Sequence, residues 1–179
     1  MRSENNLIWL DLELTGLDQI KDTIVEIGTV ITDSDLNMLA EGPSLVIHQP
    51  DEVLSAMGNW QQKQFAGTGL LDEIKKSTIT LKDAENKTLA FVKEWTLEKQ
   101  APLCGNTIWM DRVFLMRHMP ALHAYFHYRN IDVSTVKELA RKWRPELLKQ
   151  IVKEHRHRSL SDIHDSINEL KLYRGALFP

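Results

Sequence analysis

Two carboxylates interrupt an apolar segment near the N-terminus. Residues 8–16 otherwise have the pattern of a buried β-strand, with Asp11 and Glu13 at alternate positions. Because side chains alternate between the faces of a strand, these two acids share one face, with Cα atoms roughly 7 Å apart. Two ionised carboxylates side by side repel each other and lose hydration, and a divalent cation bound between them offsets both effects. The residues alone leave open a metal site or a solvent-exposed polar face.

Two further acids and a histidine extend this set of possible metal ligands. Asp111 and Asp162 each lie at the start of a predicted helix, and His157 lies five residues before Asp162. Each position has a simpler interpretation. Asp111 can favour the helix dipole, and Asp162 can complete a capping box with Ser159. His157 belongs to a charged run that is typical of a solvated loop.

The order of these residues resembles the histidine subtype of the acidic 3′-to-5′ exonuclease superfamily. The shared pattern is Asp-x-Glu on a strand, a remote Asp on a helix, and His-x-x-x-x-Asp near the C-terminus. The resemblance is carried by residues 6–17, 104–106, 111–112, 125–129, 132–135, 137–140 and 157–163. It is strongest to the members that degrade very short RNA. It implies a ribonuclease-H-like fold and phosphodiester hydrolysis assisted by two divalent ions.

The resemblance also implies a role for each of these residues. Asp11 is expected to bind both ions, and Asp111 to hold the ion at the leaving group. Glu13 and Asp162 are expected to complete the site of the other ion. Carboxylate oxygens favour Mg²⁺ or Mn²⁺, and the sequence has no Cys/His cluster that would select zinc. An imidazole at His157 can accept a proton from the attacking water. His155 is the competing candidate, but its spacing to Asp162 is seven residues rather than five, and we expect it to face solvent.

The same resemblance implies that the substrate is RNA of two to a few nucleotides. Leu17 matches a wedge between the two bases, and Trp60 matches an aromatic wall beside the 3′ base. Trp60 is equally compatible with a core or interface aromatic, because Met57 and Trp60 have helical spacing. Phe65 stands where a histidine is expected near the substrate, so a polar contact is expected to be missing.

A second set of residues matches the cap over the 5′ phosphate. Arg129 is expected to bind the phosphate, together with the hydroxyls of Thr107 and Ser134. Thr107 stands where relatives often have serine. Tyr128 is expected to come from the second subunit of a homodimer. The simpler alternatives are a polar strand start at residues 128–129 and a helix N-cap at Ser134 or Thr135.

The composition limits the possible partners and the environment. The chain has 179 residues, which suits a single domain at 1–179, and its net charge is −3. We therefore expect no tight grip on long nucleic acid. Cys104 is the only cysteine and has no partner for an internal disulfide, which favours a reducing cytoplasm. The sequence pattern indicates no signal peptide and no membrane span.

The predicted order of elements is β-β-β-α-β-α-β-α-α. Strands are expected at 8–14, 24–32, 45–48, 103–106 and 131–133. Helices are expected at 81–95, with a Thr80–Asp83 capping box, at 110–117 and 135–143, and from 159 onwards. Short connections between the first three strands favour an antiparallel meander. The predicted class is α/β, a mixed sheet with this meander and parallel strands, flanked by helices.

Three functions fit these residues. The first is a metal-dependent 3′-to-5′ exoribonuclease that converts short oligoribonucleotides, especially diribonucleotides, to mononucleotides. The second is a related exonuclease that trims the 3′ ends of structured RNA or of DNA. The third is a non-catalytic nucleic-acid-binding module, which the full set of acids and the histidine disfavours.

Overall fold

The computed structural model describes residues 1–151 and 157–177. Strands and helices alternate in the second half of the chain. The strands are β1 (Leu7–Leu14), β2 (Ile24–Thr32), β3 (Met38–Glu41), β4 (Leu45–Val46), β5 (Leu103–Gly105) and β6 (Asn130–Asp132). The helices are α1 (Asp51–Ala56), α2 (Asn59–Thr68), α3 (Leu70–Lys76), α4 (Leu81–Trp95), α5 (Ile108–His118), α6 (Pro120–Tyr125), α7 (Val133–Trp143) and α8 (Ser159–Leu177). A 3-10 helix at Pro145–Gln150 follows α7.

The strands form a mixed sheet in the order β3-β2-β1-β5-β6. β1 and β2 pair antiparallel, as do β2 and β3, whereas β1, β5 and β6 run parallel. The predicted mixed sheet flanked by helices is therefore confirmed. The third strand of the meander was incompletely predicted, because β3 and β4 both pair with β2. Residues 38–41 lack β-branched side chains and are largely exposed, so their sequence gives no strand signal.

The central strand β1 separates two apolar clusters. Ile8, Leu10 and Leu12 pack on one face, in a cluster that includes side chains of α4, α5 and α6. Trp9 packs on the other face, with side chains of α7 and α8. Burial of each large aliphatic side chain contributes about 1.5–3 kcal/mol. The predicted alternation along β1 is therefore present, and it turns Asp11 and Glu13 toward the face that carries Trp9.

One predicted helix start is confirmed, and two others differ from the structure. Thr80 and Asp83 form the expected capping box at α4. α7 begins earlier than predicted, and its N-cap is Asp132, whose carboxylate accepts the Ser134 N–H at 2.9 Å. The N-cap interpretation of Ser134 or Thr135 is therefore wrong. Ser159 forms no capping box either, since its Oγ is buried with no hydrogen-bond partner within the described chain.

Three short helices, α1 to α3, connect the meander to α4. The sequence did not predict them, because Gly58 and Gly69 divide the segment into pieces too short to show a helical period. Met57 is the C-cap of α1, whereas Trp60 lies in α2. The two residues therefore do not share a helix, although their spacing is helical. Across residues 1–151 and 157–177, no helix has the length and apolar character needed to cross a membrane.

Candidate active site

The acidic residues of β1 lie beside the point where β1 and β5 stop pairing. The two parallel strands pair only at Ile8 with Leu103 and at Trp9 with Cys104. Beyond that point the backbone N–H of Leu12 needs another acceptor, since an unpaired buried N–H is costly. Asp111, in the first turn of α5, supplies it through Oδ1 at 3.0 Å. This hydrogen bond holds a buried carboxylate at the carboxyl end of the parallel strands, where α/β sheets commonly bind ligands.

Three possible metal ligands, Glu13, His157 and Asp162, lie close together. One ligand atom each from Glu13, His157 and Asp162 lies within 4.8 Å of the other two. Asp162 is in the first turn of α8, and its N–H bonds the carbonyl of Arg158 at 3.0 Å. His157 has a φ of 47°, a left-handed backbone that a non-glycine residue keeps only when its surroundings hold it. The predicted His157 and Asp162 are thus adjacent to Glu13. His155 lies outside the described residues.

Burial and mutual repulsion make this cluster unfavourable without a cation. The pKa of Asp11 is well above its ordinary value, first because it is buried and then because of the charges of Asp111 and Glu13. Burial raises the pKa of Glu13 to about 8, and the charge of Asp162 adds to this effect. Oxygen donors with one imidazole suit a hard divalent ion, which would remove the repulsion. The residues present therefore fit a divalent metal.

Two opposing effects act on the pKa of Asp111. Burial raises its pKa to about 7, although the hydrogen bond from the Leu12 N–H acts in the opposite direction. The Asp111 carboxylate has a second oxygen, Oδ2, which does not accept this hydrogen bond. The helix-dipole interpretation of Asp111 is correct for its position in the first turn, but it does not account for its burial among other acids.

Leu17 and Trp60, the two predicted base contacts, are exposed apolar side chains. Leu17 is 67% exposed and Trp60 is 57% exposed, which excludes the core interpretation of Trp60. Leu17 lines a cleft of about 630 Å³ between the turn after β1 and helices α1 and α2, with Val53 and Gln61 on the opposite wall. The ring of Trp60 meets the ring of His157 edge to face at 5.4 Å between centroids. The described lining of the cleft includes none of the predicted metal ligands, and helix α2 is the element that contributes both Gln61 to the cleft and Trp60 to the contact with His157.

Phe65, where a histidine was expected, is a core residue. It is 1% exposed and packs among apolar side chains of β2, α1 and α3. Its ring is therefore unable to contact a substrate from this position without displacing the cluster. The expected loss of a polar contact at residue 65 is consistent with this burial.

The structure brings the two predicted hydroxyls together. Thr107 Oγ1 and Ser134 Oγ lie 3.0 Å apart, and the Thr107 N–H donates to Ser134 Oγ at 3.0 Å. Ser134 Oγ in turn donates to the amide oxygen of Asn106 at 3.0 Å. Thr107 has a left-handed φ of 54° at the start of α5. Each hydroxyl has one proton, and that of Ser134 is bound to Asn106, so Thr107 Oγ1 is the hydroxyl of this pair that can donate to a phosphate group in this arrangement.

Tyr128 and Arg129 lie just before β6, while Ser134 lies just after it. The three residues of β6 separate them by about 10 Å along the strand. Both side chains are exposed, and the Arg129 guanidinium carbon lies 5.3 Å from the centre of the Tyr128 ring. The strand-start interpretation of residues 128–129 is wrong by one residue, because β6 begins at Asn130, and both side chains are exposed in the segment before it.

Two residues next to the site were not identified from the sequence. Glu26 faces Glu13 across the β1–β2 pair and is 1% exposed. Arg158 binds it, with Nη2 3.2 Å from Oε1. A glutamate inside the apolar strand of residues 24–32 was an available signal, whereas Arg158 lay unmarked in a charged run.

The chain matches known nucleases over almost its whole length. Residues 8–170 match the exonuclease family model RNase_T. An oligoribonuclease of Pseudomonas syringae pv. tomato is 55% identical over 174 residues, which cover 97% of each chain. An oligoribonuclease of Acinetobacter baylyi is 51% identical over 175 residues, covering 98% of this chain and 96% of that protein.

Solved structures with low sequence identity share the fold. Exonuclease I of E. coli in complex with a dT13 oligonucleotide has a TM-score of 0.74 at 15% identity, covering 97% of this chain and 42% of that one. Exonuclease I of Methylocaldum szegediense has a TM-score of 0.67 at 17% identity, covering 95% of this chain and 40% of that one. This chain therefore spans less than half the length of those enzymes. The family match and the relatives of equal length together show that this chain belongs to the RNase_T exonuclease family and is related along its length to oligoribonucleases.

Proposed function

We propose that this protein is a 3′-to-5′ exoribonuclease that hydrolyses short oligoribonucleotides, above all diribonucleotides, to mononucleotides. The observation that carries the proposal is the convergence of Glu13, His157 and Asp162 within 4.8 Å, beside the buried Asp11 and Asp111. The relatives of equal length, which are named oligoribonucleases, support the substrate class.

The proposal places two Mg²⁺ or Mn²⁺ ions among the four carboxylates. Asp11 would bind both ions, Glu13 and Asp162 one of them, and Asp111 the other. When bound, such a pair activates water and stabilises the charge that develops on the phosphate and on the leaving oxygen. Glu13 and Asp162 lie next to His157, so a water held by these residues would be within reach of the His157 imidazole. His157 would take the proton of that water as it attacks the phosphorus atom.

The predicted contact residues suit a short substrate. Leu17 would enter between the two bases, and Trp60 would stack on the 3′ base, which contributes about 1–3 kcal/mol. Thr107 would donate to the 5′ phosphate, Ser134 would do so by giving up its hydrogen bond to Asn106, and Arg129 would bind the same group. Metal ions and one arginine meet the few charges of a dinucleotide, so the net charge of −3 is compatible with this substrate.

Substrate length is the sharpest test of this function. We expect a labelled diribonucleotide to be turned over far faster than a 20-mer in Mg²⁺ or Mn²⁺, with mononucleotide products and no products after chelation. Faster turnover of the 20-mer would favour the rival exonuclease that trims longer 3′ ends. Dinucleotide binding without cleavage in the presence of either ion would favour the non-catalytic module.

The assembly is part of the same proposal. We infer a homodimer in which Tyr128 of one subunit reaches the neighbouring active site, since this ring is 74% exposed on its own subunit. The Tyr128→Ala protein is expected to keep its thermal stability and to lose dinucleotide turnover. Sedimentation velocity measures the dimer, and a monomer with full activity would contradict the inference. The proposal also takes residues 1–179 as one domain of a cytoplasmic protein, in which the buried Cys104 stays a free thiol.

A further inference from the structure

The side chain of Arg158 joins two elements that are far apart in sequence. Its Nη2 lies 3.2 Å from Glu26 Oε1 on β2 and 2.9 Å from Glu73 Oε2 on α3. Nε also donates to Glu26, and Nη1 donates to Glu73 at 3.0 Å. The planar guanidinium can serve two carboxylates at once because its donors form a fixed fork.

Glu26 is the buried and firmly held partner in this contact. Its carboxylate is almost fully buried and also accepts the Ser44 hydroxyl at 2.9 Å and the Ser159 N–H at 3.4 Å. A buried carboxylate needs a paired cation, and among the residues that the structure describes Arg158 provides it. The Glu73 side chain is 46% exposed, so its charge does not need a paired cation. Its contact with Arg158 mainly sets the direction in which the guanidinium points.

Arg158 directly follows His157 in the chain. On its other side, α8 begins at Ser159, which packs so closely on β2 that a Cβ at Gly28 would lie 2.5 Å from Ser159 Oγ. The backbone from residue 158 onward is therefore held against β2, with His157 in its left-handed conformation immediately before it. Arg158 is therefore the residue that links the backbone next to His157 to both β2 and α3.

We propose that Arg158 is a positioning residue that keeps the His157 imidazole beside Glu13 and Asp162 by bridging Glu26 and Glu73. The inference rests on the proposed role of His157 in the reaction. Arg158 itself touches neither substrate nor metal in this account. It fixes the backbone that carries the proton acceptor, and a small displacement of such a group can lower a rate up to about a hundredfold.

The informative variant changes Glu73 and leaves Arg158 in place. Loss of Arg158 leaves the Glu26 charge buried and unpaired, which threatens folding. Glu73→Gln removes one carboxylate of the bridge at an exposed position. Asp35→Asn is the matched control, because it breaks a different arginine–carboxylate pair at an exposed site, that between Arg174 of α8 and Asp35 at 2.8 Å. Arg158→Lys is the second variant, since a single ammonium lacks the fork that serves two carboxylates.

Two measurements separate positioning from general stability. The first is the 13C–1H resonance of the His157 imidazole, which feels the ring current of Trp60 at 5.4 Å and needs no metal or activity. The second is the split between kcat and KM for a diribonucleotide. In Glu73→Gln we expect the resonance to shift, kcat to fall about tenfold and KM to stay within about twofold, with a larger fall in Arg158→Lys. Asp35→Asn should change none of these quantities.

Other outcomes overturn the inference in distinguishable ways. An unchanged resonance and an unchanged kcat in Glu73→Gln, while His157→Gln is inactive, would overturn the positioning role and leave the proposed function intact. A shifted resonance with unchanged kcat would show that the bridge holds His157 without influence on the reaction, which also overturns it. Full activity of His157→Gln would instead overturn the role of the histidine on which the inference rests.

Discussion

Replacing Asp11 with asparagine is expected to abolish hydrolysis and, at the same time, to stabilise the metal-free protein. The pKa of Asp11 is well above its ordinary value, first because of its burial and then because of the charges of Asp111, Glu13 and Asp162. Without metal, a neutral side chain of the same shape removes that repulsion. With metal, the same change removes the proposed ligand of both ions. Loss of several kcal/mol of transition-state stabilisation corresponds to a fall in rate of about a thousandfold.

Calorimetric melting in chelator at pH 8, together with dinucleotide turnover in Mn²⁺, measures both effects. Each kcal/mol gained should raise the Tm by about 2–4 °C in a chain of this size. Asp35→Asn again serves as the control, because its carboxylate is exposed and lies on the turn between β2 and β3. A lower Tm of the metal-free Asp11→Asn protein, or undiminished turnover, would show that Asp11 is a structural acid rather than a metal ligand.

The metal-free protein is also expected to lose stability as the pH rises from about 4 to 8. Burial raises the pKa of Glu13 to about 8 and that of Asp111 to about 7, and the pKa of Asp11 is raised as well. In the unfolded chain the same carboxyls release their protons near pH 4. The folded state therefore binds more protons than the unfolded state across this window, and its stability decreases as the pH passes through the raised values.

Divalent ions should reverse this dependence. They bind the deprotonated carboxylates, so they compete with protons below about pH 7 and stabilise most strongly near pH 8. An ion at a hundred times its Kd adds about 2.7 kcal/mol to the free energy of unfolding. Melting curves at pH 5, 6, 7 and 8, with Mg²⁺ or with chelator, test the crossing of the two trends. A metal-free protein that becomes more stable toward pH 8 would contradict the described cluster of acids.

The regular part of the fold was predictable because it is local. The alternation along β1 and the capping box at Thr80 depend on neighbouring residues, and both appear in the structure. The helix start at α7 was predicted wrongly, since Asp132, Ser134 and Thr135 are all good caps and only the end of β6 decides among them. The strand β3 has no sequence pattern of its own and exists because β2 offers it a pairing edge.

The candidate site was predictable in its residue types and less so in its contacts. The order of the acids and His157 identified the members, and the resemblance to a nuclease family supplied their roles. The bond from the Leu12 N–H to Asp111 joins residues 99 positions apart, and the bond from Arg158 to Glu26 joins residues 132 apart. Such pairings depend on how the helices dock on the sheet, which no local pattern encodes. Trp60 shows the same limit, because its residue type favours burial and its 57% exposure depends on how α2 packs on the rest of the fold.

Anomalous diffraction from a crystal soaked in Mn²⁺ tests the central claim most directly. The claim is that Asp11, Glu13, Asp111 and Asp162 together hold paired divalent ions. We expect two anomalous peaks among these four carboxylates, about 3.5–4 Å apart, with His157 beside them. Manganese bound only elsewhere on the molecule, with these carboxylates free of it at pH 8, would contradict the account.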